Sequence, residues 1–114
     1  MTVDFSLDEQ GRPRAMAAPP RQSLRWYLEG DVQNNAAWCD ELQRIISWLR
    51  ADSSMLAWEG TGNAFTVMLS GGTARVQPAW SEVHAACELT LDDFSAVIAG
   101  WARFLRTHGL APAP

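Results

Sequence analysis

The sequence predicts a single α+β domain in which a mainly antiparallel sheet of about five to six strands is packed on one face by two amphipathic helices. Three observations support this prediction. The chain has 114 residues, of which 47% are hydrophobic and 19% charged, a balance typical of one folded domain. Short segments alternate apolar and polar residues, and two longer segments repeat apolar residues at helical spacing. We place the domain at residues 1–110 and expect residues 111–114 to form a flexible C-terminal tail.

The alternating pattern of strands is clearest at the beginning and in the middle of the chain. Apolar and polar residues alternate over 2–7, and the turn-forming residues 8–11 predict a hairpin whose second arm covers 12–17. A shorter alternation predicts a third strand over 23–28. Because glycine-rich turns divide the middle of the chain, a meander is expected there. Its strands are predicted over residues 55–59, 63–70, 73–77 and 83–89.

Two segments carry the helical pattern. Asp31 is expected to be the N-cap of a first helix that ends near Arg50, because its carboxylate can accept the free amide hydrogens of a first turn. On this helix Trp48 lies about 120° from the centre of the apolar stripe, beside Glu41. The stripe consists of Asn35, Trp38, Cys39, Leu42, Ile45, Ile46 and Leu49. A wide single stripe predicts a helix that buries one face.

The second helix is predicted to begin after Thr90, with Thr90 as N-cap and Asp92 and Asp93 in the first turn. Gly109 stands where a C-cap belongs. The apolar stripe is formed by Leu91, Phe94, Ile98, Trp101 and Leu105. Since acidic residues are stabilised at a helix N-terminus, capping explains Asp92 and Asp93 without a catalytic role.

Charge and cysteine content exclude several classes of function. The net charge is −4 and all nine basic residues are arginine, so no basic stripe for nucleic acid is expected. Cys39 and Cys87 are interpreted as reduced core thiols, and alternation predicts that Cys87 faces inward. Together with His84 and His108 they show no metal-ligand spacing, so neither a metal nor a cofactor is expected. The sequence therefore predicts a protein that is not an enzyme and has no catalytic residues.

The beginning of the chain lacks the positive and apolar regions of a secretory signal, and no apolar run reaches about 20 residues. We therefore expect no membrane association and a cytoplasmic location in a bacterium or similar cell.

The sequence has six tryptophans, more than packing alone leads one to expect, and tryptophan is common in the centres of protein interfaces. The predicted partner-binding residues are Trp48, Glu41, Asp40 and Trp26. The acidic residues around the first helix are either a solvated face or a face complementary to a basic partner.

Two alternatives remain open at this stage. One is a small metabolite-binding domain or enzyme that uses a polar strand face with Arg75, Gln77, His84 and Glu88. The other is a homodimer that pairs apolar surface around Trp26 or Phe104.

The order of short motifs resembles the YacL-like family of small bacterial proteins, a resemblance that implies no particular activity. The residues that carry it are Asp4-Phe5, Gly11, Arg14-Ala15-Met16, Trp26, the helix after Asp31, Trp58, Asn63-Ala64-Phe65-Thr66-Val67, Asp93-Phe94 and Phe104. The layout from Trp58 to Leu105 is also similar to that of bacterial toxin immunity proteins. That similarity implies a non-catalytic protein that covers the surface of a cognate toxin, and a basic toxin domain would be the partner.

Overall fold

The computed structural model describes residues 3–51, 57–80 and 85–112. It confirms the predicted α+β class, with the strands divided between a two-stranded and a four-stranded antiparallel sheet. The elements, in chain order, are β1 (Asp4–Leu7), β2 (Pro13–Met16), α1 (Gln22–Trp26), a π-helical turn (Tyr27–Val32), α2 (Ala36–Ala51), β3 (Ala57–Thr61), β4 (Phe65–Ser70), β5 (Thr73–Pro78), β6 (Cys87–Thr90) and α3 (Leu91–Thr107).

The first hairpin forms as predicted but does not join the larger sheet. Asp8 closes its turn, since one carboxylate oxygen accepts the backbone N–H groups of Gln10 and Arg12, each at 2.9 Å. The hairpin packs instead against α3, where the Phe5 ring lies 5.5 Å from Trp101 and 5.9 Å from Phe104, centroid to centroid. The expectation of one sheet of five to six strands is therefore wrong, because an aromatic contact holds β1 on the helices.

The four-stranded sheet has the order β3-β4-β5-β6 and buries one face. Its register pairs Val67 with Val76, and Val76 with Cys87 on the next strand. Each of these three side chains is buried. The inward orientation predicted for Cys87 is thus confirmed. α1 and α3 contact β5 and β6, so the helices and the sheet share one core.

The third strand predicted over residues 23–28 is wrong, because this segment is α1 continued by the π-helical turn. Leu24 and Leu28 are fully buried. Their spacing of four residues fits one face of a helix as well as one face of a strand, so alternation alone could not separate the two. Within the described residues, three helices rather than the two expected therefore contribute to the core.

The first predicted helix begins later than expected. α2 starts at Ala36, and the side chain of Asn35 accepts the backbone N–H of Trp38 at 3.0 Å. Gln33 has φ +55°, which interrupts the helical path after the π-helical turn. Asp31 lies inside that turn, and its carboxylate accepts the N–H groups of Ala64 and Phe65, each at 3.0 Å. Asp31 therefore caps the turn before β4 and is not the N-cap of α2.

α3 agrees closely with its prediction. The Thr90 hydroxyl accepts the N–H of Asp93 at 3.0 Å, and Gly109 adopts φ +64° after the helix. This left-handed residue lets the Leu110 N–H reach the Leu105 carbonyl at 2.8 Å. The predicted stripe is buried. Ala111, which the sequence places in the tail, packs against the core.

Polar contacts align α2 with α3 along their exposed seam. Gln43 donates to the Ser95 carbonyl at 2.9 Å and accepts the Ser95 hydroxyl at 2.7 Å. Arg106 binds both carboxylate oxygens of Asp40, at 2.7 and 3.2 Å. A further ion pair joins Arg50 to Asp92 at the other end. The acidic residue at the start of α3 is therefore also part of the link between the two helices.

The Asp40–Arg106 ion pair can be tested through the pKa of Asp40. The hydrogen bond from Arg106 holds the pKa of Asp40 below its ordinary value of 3.8. A carboxylate whose native pKa is lowered stabilises the fold fully above its unfolded pKa and loses that contribution as pH falls through the native value. In Arg106→Gln the titration midpoint of Asp40, followed by carboxyl-carbon NMR, should rise toward 3.8. Arg103→Gln, which removes an exposed arginine of the same helix, should leave the midpoint unchanged, and equal shifts in both variants would contradict this assignment.

Candidate protein-binding edge

The structure separates the four residues predicted to bind a partner. Glu41 and Trp48 lie seven residues apart on α2, about two turns, and so share one flank of the helix. Asp40 is turned toward α3, where Arg106 holds it. Trp26 lies on α1 and is half-buried against the core. Of the four residues, only Glu41 and Trp48 belong to one continuous surface.

Trp48 is the exposed aromatic residue of this flank. Its side chain is 56% exposed, as its position away from the stripe predicts. Beside it, Arg44 donates from Nε to the Glu41 carboxylate at 3.0 Å. Trp38 lies three residues before Glu41, at the border between this flank and the apolar stripe.

The acidic residues near α2 do not form an open negative face. Glu41 is paired with Arg44 and Asp40 with Arg106. Glu29 binds Arg14 at 3.3 Å. Asp52 lies outside the described residues. Glu59, which is exposed on β3, has no ion pair with another described residue. Of the four described carboxylates named here, the one without an ion pair therefore lies on β3 rather than on α2.

Aromatic side chains connect the α2 flank to β3. The Trp38 and Trp58 rings have centroids 6.2 Å apart, and Trp38 Nε1–H donates to the Tyr27 hydroxyl at 3.0 Å. The Trp58 ring lies across Gly60 so closely that a Cβ there would overlap it. We call the combined surface of β3 and of Trp38, Glu41 and Trp48 the β3 edge, since β3 ends the four-stranded sheet on this side.

A small cavity of about 230 Å³ opens beside residues 60–62 at the β3 edge. Tyr27, Asp31, Asn35 and Trp38 line its other walls. The Asp31 carboxylate is fixed there by its two backbone hydrogen bonds. A Cβ on Gly62 would lie 2.6 Å from an Asp31 oxygen, so this close approach requires glycine. Burial raises the pKa of Tyr27 to about 12, which keeps the phenol neutral.

The alternative hypothesis places a site on a polar strand face, whose described side chains are bound to one another. Arg75 donates from Nε to the Gln77 side-chain oxygen at 3.0 Å and from Nη1 to Glu88 at 2.8 Å. His84, the residue on which the catalytic or metabolite-binding reading depends, lies outside the described residues. The three described side chains bind one another.

A cavity of about 490 Å³ is an open groove between α2 and α3. Its lining includes polar groups that align the two helices, among them the Asp40–Arg106 pair. Cys39 lies beneath the groove, and burial raises its pKa to about 12, so it is a poor nucleophile. Cys87 is also buried and free. Within residues 3–51, 57–80 and 85–112, no three His, Cys, Asp or Glu side chains cluster closely enough to hold a metal ion.

The apolar surface considered for a homodimer is partly covered. Phe104 lies 4.2 Å from the His108 ring, centroid to centroid, and also contacts Phe5. Trp26 is half-buried.

The cavity at residues 60–62 and the role of Asp31 were not predicted from the sequence. The signal that could have indicated them is the Gly-Thr-Gly segment, where glycine permits a close approach of another chain segment.

Comparison with family models, with curated proteins and with solved structures found no match to this chain. None of the helices in the described part of the chain combines the length and the apolar character that a bilayer crossing requires.

The close packing of Trp58 on Gly60 can be tested by substitution. Gly60→Ala places a methyl group where the Trp58 ring lies, so the ring must shift from its position. We expect a loss of about 1–3 kcal/mol in unfolding free energy and a change in tryptophan fluorescence. Gly71→Ala is the matched control, because a Cβ there meets no atom within 4 Å. Equal losses in chemical denaturation of the two variants would contradict the contact.

Proposed function

We propose that this chain is a non-catalytic protein-binding domain and that the β3 edge is its binding surface. The observation that carries the proposal is Trp48, a large aromatic side chain left 56% exposed on the flank of α2 that it shares with Glu41. Covering the exposed part of an indole, roughly 100 Å² of apolar surface, yields about 2.5 kcal/mol. This is the contribution expected of an interface hot spot.

Other exposed apolar residues are weaker candidates. Trp80 is 77% exposed, but its indole N–H donates to the Asn63 carbonyl at 2.9 Å, which fixes the turn before β4. Met16 and Leu7 lie on the separate hairpin. Trp48 differs from these residues because it lies on the flank of α2, which it shares with Glu41.

Within this role we propose toxin neutralisation as the specific function. The similarity of the layout to immunity proteins supports it, as does the net charge of −4. Such a protein would act in the cytoplasm by covering a basic toxin domain, and complementary charge would speed their association. The carboxylate of Glu59, which makes no ion pair with another described residue, gives the β3 edge the matching sign of charge.

Site-specific photocrosslinking tests the binding surface. A photoreactive phenylalanine analogue at position 48 should give a crosslinked product with a different protein in the source organism. The same analogue at position 16, which replaces an equally exposed Met16, is the control. A product at 48 and none at 16 supports the β3 edge. The proposal fails if 48 gives no product, or if both positions crosslink the same proteins equally.

Toxin neutralisation is tested separately by growth. The product of the adjoining reading frame should arrest growth when it is expressed alone, and co-expression of this chain should restore growth. Trp48→Ala should weaken the rescue at unchanged protein level, whereas Met16→Ala should not. An adjoining product that is harmless would exclude the immunity function while leaving protein binding intact.

A further inference from the structure

We infer that the free side of β3 receives an extended, basic segment of the partner as an additional strand. The inference rests on the proposed function and specifies how the partner is recognised. In such β-strand addition, main-chain hydrogen bonds supply affinity and alternate side chains supply specificity.

The backbone of β3 is arranged for such pairing. Thr61 is paired with Thr66, and the next hydrogen bond runs from the Gly62 N–H to the Phe65 carbonyl at 2.9 Å. Because hydrogen-bonded residues alternate along an antiparallel pair, Gly60 and Trp58 also bond toward β4. The N–H and C=O groups of Ala57, Glu59 and Thr61 therefore point away from β4. No other described strand pairs with β3 on that side.

The face of β3 that carries Glu59 favours a positively charged side chain on the added strand. Glu59 is exposed on β3, opposite Met68 of β4, and makes no ion pair with another described residue. A strand paired with β3 would place one side chain directly across from Glu59, about 5 Å away between Cβ atoms. Arginine or lysine at that position compensates the carboxylate, whereas an acidic residue is repelled.

The same charge disfavours a second copy of this chain. Two copies of β3 could pair antiparallel through the backbone groups that point away from β4. In that register Ala57 lies opposite Thr61, and Glu59 lies opposite Glu59 of the other copy. Like charges directly across a strand pair are destabilising. A charged residue on an edge strand is a common protection against self-association. Glu59 therefore both limits dimer formation and specifies a heterologous, basic partner.

The face of β3 that carries Trp58 favours apolar side chains on the added strand. Residues of the added strand that flank its basic position point toward Trp58 and Trp38, because successive side chains alternate in direction. The cavity of about 230 Å³ at residues 60–62 is smaller than the pockets of about 300–1,000 Å³ that hold small-molecule ligands. It is large enough for one side chain. The expected segment thus alternates apolar and basic residues.

The test uses a display library of linear 12-residue peptides selected on the full chain. Enriched peptides should alternate apolar residues with arginine or lysine. Selection on Glu59→Arg should enrich acidic residues instead, and this variant should bind the original peptides about tenfold more weakly. Since Glu59 is exposed, the substitution is not expected to disturb folding, which thermal unfolding will verify.

Peptide methylation tests the pairing without altering the protein. N-methylation of those alternate peptide amides that face β3 should abolish binding, whereas methylation of the other set should not. In amide NMR the signals of Ala57, Glu59 and Thr61 should gain exchange protection on binding. The inference is overturned if the wild-type chain and Glu59→Arg select peptides of the same charge. It is also overturned if the peptides still bind after N-methylation of either set of alternate amides.

The outcomes separate this inference from the proposed function. If position 48 crosslinks a partner but the amides of β3 remain unprotected in the complex, protein binding stands and strand addition is wrong. If the free chain sediments as a dimer with those amides already protected, a second copy occupies the edge and the inference is also wrong.

Discussion

The Asp31 carboxylate connects the helical layer to the four-stranded sheet at the place where the candidate binding surface is built. It lies in the π-helical turn and accepts two backbone hydrogen bonds from the residues that open β4. On the other side of the same segment, the Gln33 carbonyl accepts the indole N–H of Trp101 at 2.8 Å, and Asn34 donates to the Leu110 carbonyl at 3.1 Å. The segment before α2 is thus held from both the sheet and α3.

This anchoring determines what the β3 edge can present. Once the π-helical turn is fixed, Tyr27 is buried and can receive the indole N–H of Trp38, and Trp38 packs on Trp58. Glu41 and Trp48 follow Trp38 along this side of α2. Because arginines compensate Asp40 and Glu41, the helix itself contributes little net charge. If this surface binds a protein as we propose, recognition would depend on aromatic area, on the backbone groups of β3 that point away from β4 and on Glu59.

Part of the fold could be predicted from local chemistry. Thr90 as an N-cap, Gly109 after the last helix and the hairpin closed by Asp8 each depend on residues a few positions apart, which the sequence displays directly. The stripe on α2 was also recognised, because a 3.6-residue period sustained over several turns has no competing explanation. Trp48 was placed correctly outside the stripe for the same reason.

The errors have a different physical origin. Residues 23–28 were too short for the period to distinguish a strand from a helix, since Leu24 and Leu28 fit both. Asp31 has the side chain of an N-cap, but its hydrogen bonds go to Ala64 and Phe65, more than thirty residues away. No local pattern reports such a partner. The ion pair of Asp40 with Arg106 across the two helices likewise joins residues far apart in the sequence, although the prediction that Asp40 binds a partner stays untested.

Amide hydrogen exchange measured by NMR on the wild-type chain and on Asp31→Ala tests most directly whether this carboxylate holds the edge in place. Loss of one hydrogen-bond acceptor of this kind typically changes the free energy by about 1–2 kcal/mol, so the amides of Ala64 and Phe65 should exchange roughly tenfold faster in the variant. Asp31→Asn, which retains one acceptor oxygen, should have a smaller effect, and the amides of Val76 and Leu89 in the far strands should be unchanged. If Ala64 and Phe65 exchange at the same rate in both proteins, or if all amides accelerate equally, Asp31 does not organise the β3 edge.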